Sequence, residues 1–149
     1  MKFSTRALYG LKGILVLAMR YGEGSLSVSH IAKKEGLPVH YLEQILNALK
    51  KKGLVKSLRG PQGGYALAQK PSELTLEQLF YSLEGKGGSS KNQVTPEMDE
   101  IAVANALFWQ KLDVAVQNGF SKITLKDLVD EARRIKKAGL RVPTSTFHI

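Results

Sequence analysis

The clearest pattern in this chain lies between positions 39 and 67. Leu42, Ile45, Leu46 and Leu49 recur three and four residues apart, which predicts an amphipathic helix with one core-facing stripe. His40, Tyr41, Glu43, Gln44, Asn47, Lys50 and Lys51 fall on its open faces, and Gly53 stops it. Leu54, Lys56 and Leu58 then alternate with Val55 and Ser57 as in a strand, and Tyr65 and Leu67 answer on the return. Between the two strands lies Arg59-Gly60-Pro61-Gln62-Gly63-Gly64, a tip whose glycines permit positive φ and close backbone approach.

The flanking elements follow the same logic. Ser4 is the expected N-cap of a long apolar-rich helix over 5–21 that Gly22 closes, with Leu8, Leu11, Leu15 and Ala18 as its inner stripe. Ser27 caps a short helix over 28–34 with Ile31 and Ala32 inward. Gly36 breaks it, and Pro38 opens the next helix where its missing N–H does no harm. After the loop Lys70-Pro71-Ser72, Thr75 with Gln78 forms a capping box for a helix over 76–83. Residues 85–94 are rich in glycine and serine and read as a linker. Thr95-Pro96-Glu97 predicts the start of a second long helix, ending near Asn118 before Gly119. Thr124 and Asp127 cap a final amphipathic helix over 125–137, with Leu125, Leu128, Val129 and Ala132 inward. The last ten residues read as irregular.

The second long helix is apolar almost all round: Met98, Ile101, Ala102, Ala104, Leu107, Phe108, Trp109, Leu112, Ala115 and Val116 leave only Gln110, Asp113 and Gln117 clearly wet. A helix apolar on most faces is buried on most faces. A chain of 149 residues whose other core is complete before residue 84 cannot cover it alone. The expectation is a two-fold dimer with Ile101, Ala104, Phe108, Trp109, Leu112, Ala115 and Val116 in the interface. The alternative is a compact monomer that buries the helix internally.

Charge sharpens the picture. Up to residue 70 there are twelve lysines and arginines against Glu23, Glu35 and Glu43, a surplus of nine, which is the whole net charge of +9. The remainder is neutral. A surplus confined to one part of the chain points to a polyanion. With no long apolar run, signal peptide or lipidation motif, a membrane surface is disfavoured and the expected location is cytoplasmic. The chain has no cysteine, which excludes disulfides, thiolate metal sites and cysteine nucleophiles. His30, His40 and His148 show no ligand spacing, and Glu97, Asp99 and Glu100 read as dipole complements at a helix start, so no metal or other cofactor is expected. No nucleophile–base pairing or phosphate loop suggests an enzyme; the RGPQGG tip is not followed by a helix.

Together these features describe a mainly α fold with a small β-hairpin wing: a winged helix-turn-helix DNA-binding domain plus a long dimerisation helix. The expected organisation is a DNA-binding domain over 1–84, a flexible loop over 85–96, the dimerisation and C-terminal helices over 97–139, and an irregular tail over 140–149. The candidate DNA contacts are Ser27, Val39, His40, Tyr41, Glu43, Gln44, Asn47, Lys50 and Lys51 on the helices, with Arg59, Gly60, Pro61, Gln62 and Gly63 at the wing tip. For Glu43 the alternative is a plain surface charge or an ion pair with Lys50 or Lys51.

The motifs MKFSTRALYGLKGILVLA, YLEQ followed by RGPQGGY, LTLEQLFYSLEG, Trp109 and ITLKDLV resemble the Rrf2 family of bacterial transcription regulators over most of the chain. The resemblance implies a homodimer built on the helix over 97–118 that recognises imperfectly palindromic promoter DNA. It also implies that Tyr41, Glu43 and Gln44 face DNA and that Arg59, on the Gly60-Pro61 turn, enters the minor groove. His40 stands where a small residue is commoner in the family, which bears on base preference. The family includes iron–sulfur regulators with three cysteines in the region matching 85–101. This chain has none, so a thiolate-ligated cluster is ruled out by composition.

The function that follows is a dimeric, sequence-specific transcription regulator, expected to repress and to lack an iron–sulfur cluster. Two others compete with it. One is a regulator switched by docking to a metabolic enzyme, a protein effector for which 85–94 and 140–149 are candidate docking segments. The other is a basic domain that compacts nucleic acid without sequence preference.

Overall fold

The computed structural model describes residues 4–85, 94–139 and 141. The glycine-rich linker and the tail beyond Gly139 therefore lie, apart from Gly85, Val94 and Arg141, outside the described residues. Six helices and one hairpin follow in order: α1 (Thr5–Met19), α2 (Val28–Glu35), α3 (Val39–Lys51), β1 (Val55–Leu58), β2 (Gly64–Leu67), α4 (Leu76–Glu84), α5 (Glu100–Phe120) and α6 (Leu125–Ala138). The strands pair antiparallel, with Val55 opposite Leu67 and Leu58 opposite Gly64. The winged helix-turn-helix architecture is as expected.

One core unites these elements apart from α5. Leu42, Ile45, Leu46 and Leu49 of α3 pack with Ile14 and Leu17 of α1, Ile31 of α2, Val55, Tyr65 and Leu67 of the hairpin, and Leu74 and Leu79 around the start of α4. Each large apolar side chain so buried contributes roughly 1.5–3 kcal/mol relative to exposure. Leu125 and Val129 of α6 join the same core. Main-chain bonds from Leu125 N to Leu74 O (2.8 Å) and from Leu76 N to Ile123 O (2.8 Å) hold the start of α6 beside the start of α4. At its far end Arg133 Nη2 donates to Met19 O (2.8 Å), setting a cation at the C-terminus of α1.

Four expectations need correction. In α1 the buried face is Ala7, Gly10, Gly13, Ile14, Val16, Leu17 and Ala18, whereas Leu8, Leu11 and Leu15 are only half-buried. The glycines decide this. A Cβ on Gly10 would lie 2.3 Å from Leu83 Cδ2 and one on Gly13 3.2 Å from Leu42 Cδ1, so α3 and α4 come closest along the glycine face. In the hairpin, Leu58 does not alternate inward; it is 46% exposed because the ribbon projects beyond the core and only its base is packed. In α6, Leu128 is half-buried and Ala132 exposed.

The fourth correction concerns α5. It begins at Glu100 with Asp99 as N-cap, whose carboxylate accepts from Ala102 N (2.8 Å). Thr95-Pro96 instead forms a turn closed by Met98 N donating to Thr95 O (3.1 Å). An aspartate cap four residues later outcompetes the threonine. The helix also runs through Gly119 to Phe120, whose ring meets Phe80 of α4 edge-on at 6.1 Å. Asp113, expected in water, instead accepts a short hydrogen bond from the Tyr81 hydroxyl of α4.

Burial and the Asp113 carboxylate push the Tyr81 hydroxyl from 10.0 up to about 12. The folded state therefore holds this proton more tightly than the unfolded chain. Its contribution to stability is complete below about pH 10 and is lost as pH rises towards about 12. Denaturant titrations from pH 9 upwards should show a steeper alkaline loss of stability for the parent chain than for Tyr81→Phe. Parallel curves would show that the Tyr81–Asp113 contact contributes nothing.

Candidate nucleic-acid interface

α2 and α3 form a tight corner. The Ser27 hydroxyl accepts from His30 N (3.1 Å) and so starts α2. Gly36 ends it in the left-handed conformation (φ 64°), which a side chain at that position would resist. Leu37 is buried at the corner, and Pro38 precedes α3 without needing an N–H of its own. With its apolar stripe fixed, α3 leaves Val39, His40, Glu43, Gln44, Asn47, Lys50 and Lys51 exposed. Tyr41 is half-buried, its ring edge-on to Tyr9 of α1 at 5.7 Å. Tyr41 thus has a packing role beside any contact with DNA.

The wing is anchored at its base from two sides. Leu26 N donates to Tyr65 O (2.9 Å) and Tyr65 N donates back to Leu26 O (2.8 Å), so the segment before α2 joins β2 through a single antiparallel bridge. This approach needs Gly64. A Cβ there would sit 2.2 Å from the Leu26 carbonyl oxygen, and its φ of 148° is one that side chains rarely adopt. On the other side, the Tyr65 hydroxyl donates to Asn47 Oδ1 of α3 (3.0 Å). Nearer the tip, Ser25 Oγ donates to Gln62 O (2.6 Å) and Gly63 N to Gly60 O (2.8 Å). Arg59, Gly60, Pro61 and Gln62 are exposed on this ribbon, with Gly63 half-buried.

Electrostatics distinguish the charged residues. Lys50 and Lys51 lie in the last turn of α3, where they also complement the helix dipole. Lys52 is drawn away, its Nζ donating to Ser82 O of α4 (2.6 Å). Among the described residues the ion pairs are Arg20–Glu23, Lys126–Asp130 and Arg134–Glu131. Glu43 and Arg59 thus have no ion-pair partner there, and Glu43 does not bridge to Lys50 or Lys51. Burial, and then the Glu43 charge, raise the Tyr65 hydroxyl above its ordinary value, so the phenol keeps its proton.

Sequence reading missed Ser25, Leu26 and Tyr65 as parts of this surface. The signal was the doubled glycine before Tyr65, which marks close backbone approach without naming the approaching segment.

On α5, Ile101, Ala104, Phe108, Trp109 and Ala115 are exposed, and Leu112 and Val116 are half-buried. Ile101 is 80% and Phe108 59% exposed, and Leu107 and Val114 also face outward. The Phe108 and Trp109 rings stack edge-on at 5.2 Å.

The Rrf2 family model, described as an iron-dependent transcriptional regulator, matches residues 3–131. The chain is 36% identical to the HTH-type transcriptional regulator CymR of Bacillus subtilis, over 86% of this chain and 89% of CymR. The solved structure of CymR, described as the global cysteine regulator of B. subtilis, superposes with a TM-score of 0.70, covering 88% of this chain and 98% of that one. IscR of T. potens superposes with a TM-score of 0.73 at 33% identity, covering 95% and 93%. The residues present do not fit an iron centre of the family's kind. The chain has no cysteine, and among the described residues no three histidines, aspartates or glutamates come together. Nor is any helix among them long and apolar enough to cross a membrane.

Gly64→Ala should destabilise the fold by roughly 1–3 kcal/mol, because it forces either the backbone or the Leu26–Tyr65 bridge to open. Chemical unfolding measures this directly. An unchanged midpoint would mean that the wing base yields without cost.

Proposed function

The chain belongs to the Rrf2 family, DNA-binding transcriptional regulators rather than enzymes, and within it we propose a cluster-free homodimer that reads an imperfect palindrome. The observation that carries the dimer is the inverted amphipathicity of α5. Its Asp113 faces α4 of the same protomer, while Ile101, Phe108, Trp109 and Val114 face outward. Contiguous exposed apolar surface of this kind marks an interaction site. A second α5 related by a two-fold axis would cover it and present two readers to two half-sites.

In this reading α3 enters the major groove with Glu43, Gln44 and Asn47 towards base edges, flanked by Val39, His40 and Tyr41. Lys50 and Lys51 bind phosphates, Ser27 sits at the backbone beside the N-terminus of α2, and the Arg59–Gly63 tip enters the minor groove. A bound dimer overlaps promoter DNA, so repression is the proposed output, acting in the cytoplasm. Without cysteines the regulatory signal does not pass through a thiolate-ligated cluster.

The dimer is tested with Phe108→Glu. Phe108 is exposed in the protomer, so the variant should keep the monomer fold while placing an unpaired charge in the interface, a loss of about 3–5 kcal/mol. Sedimentation should show folded monomers at concentrations where the parent chain is dimeric; an intact dimer would dismiss this interface.

The site is tested by titrating variants against a selected duplex and a scrambled one at fixed salt. Glu43→Ala should relax discrimination more than it lowers affinity, because a carboxylate near phosphates repels sites that lack a compensating base donor. Arg59→Ala should lose about 1–3 kcal/mol of cognate affinity, with little recovery in Arg59→Lys. Unchanged discrimination in Glu43→Ala together with full rescue by lysine would leave only non-specific binding to polyanions.

A further inference from the structure

We propose that Tyr65 of the wing fixes Asn47 of the recognition helix as a hydrogen-bond donor, so that this position reads guanine rather than the adenine an asparagine usually selects. The inference rests on the DNA reading above and deepens it. An asparagine normally recognises adenine by giving its NH2 to N7 and accepting from N6 on its carbonyl oxygen, so it needs both ends of the amide. Here one of the two lone pairs at the carbonyl end is engaged, and the bond turns that end towards the wing. Asn47 Oδ1 accepts from the Tyr65 hydroxyl at 3.0 Å.

The surroundings set the direction of that bond. Tyr65 is buried, with 8% exposure, and its main chain is held by the paired bonds to Leu26, so the hydroxyl cannot swing away. Burial and the nearby Glu43 charge keep the phenol protonated, and a protonated phenol beside an amide oxygen donates. Asn47 itself is exposed, and the end of its amide not facing Tyr65 is the NH2. Two N–H groups match the two major-groove acceptors of guanine, N7 and O6. Adenine would set its N6 amino group against one of them.

A second consequence follows from helical spacing. Glu43 lies four residues before Asn47, about 6 Å along the axis and on the same face. It is acceptor-only, whereas Asn47, its carbonyl turned towards Tyr65, presents its NH2 outward. The face therefore presents acceptor then donor about two base-pair steps apart, complementary to a cytosine N4 donor and a guanine acceptor pair. Opening the wing base would release both the tip and this amide, so wing position and base preference are linked.

The test is selection of bound duplexes from a random pool with the full-length parent chain, Tyr65→Phe and Asn47→Asp, followed by titration of single-base variants. Tyr65→Phe keeps the ring that fills the core, and Asn47→Asp keeps an acceptor for Tyr65 on an exposed position, so neither requires refolding of the interior. The parent chain should prefer guanine over adenine at one position of each half-site, roughly ten-fold or more. Tyr65→Phe should shift that position towards adenine, and Asn47→Asp should abolish its guanine preference. Two results would overturn the inference while leaving the regulator reading intact. One is an identical motif from Tyr65→Phe; the other is a uniform loss across all duplexes in Asn47→Asp, the mark of a phosphate contact. Recovery of no motif by the parent chain would overturn both.

Discussion

Tyr65 is the point at which three requirements of this fold meet. Its ring belongs to the core, its main chain pairs with Leu26, and its hydroxyl meets Asn47 on α3. A two-stranded ribbon of four residues per strand is only marginally stable alone. The wing has a defined direction because its base is clamped between the segment entering α2 and the exposed face of α3. Gly64 makes the clamp possible by letting the Leu26 carbonyl approach to a distance that no Cβ tolerates. The position of Arg59 relative to Glu43 and Gln44 is thus set by packing inside the protein, before any DNA is present.

The other end of the molecule follows a different rule. α5 meets α4 of the same protomer through Asp113 on Tyr81 and Phe120 against Phe80, buries Ala106, and turns larger apolar residues outward. α4 is in turn tied to the end of α3 by Lys52 Nζ on Ser82 O and to the N-cap of α1 by Glu84 Oε1, which accepts from Ser4 N. These contacts place α4 between the reader and the proposed interface.

Much of this was legible in the sequence, for identifiable reasons. The stripe of α3, the Ser27 cap, the left-handed Gly36 and the capping boxes at Thr75 and Thr124 are local, and local rules found them. The failures were non-local. In α1 the heavy leucines suggested a stripe, but the two glycines won because helix approach, not side-chain hydropathy, fixed the buried face. At α5 two good caps competed, and the start signal of Thr95 with Pro96 and Glu97 masked the stronger cap at Asp99. Asp113 was read as a wet residue because its partner, Tyr81, lies 32 positions earlier. The exposed polar positions of α3 could be named from its stripe, but the pairing of Asn47 with Tyr65 could not, since it depends on how far the wing folds back.

The charge distribution explains why a single acid on α3 carries so much of the proposed specificity. In the proposed reading Lys50 and Lys51, at the end of α3, attract any duplex and do not distinguish sequences. Glu43 lies about two turns earlier on the same helix, exposed and without an ion-pair partner among the described residues. In water a phosphate at contact distance would repel it by only about 1 kcal/mol, but in the partly desolvated groove the effective dielectric constant is lower and the repulsion grows several-fold. A base donor returns roughly 1–3 kcal/mol at the cognate position and nothing elsewhere. In the proposed complex the carboxylate would subtract from every site and be compensated at few, converting the uniform attraction of a basic domain into a preference. The surplus of nine positive charges before residue 71 makes that subtraction tolerable, because binding survives it where the bases match.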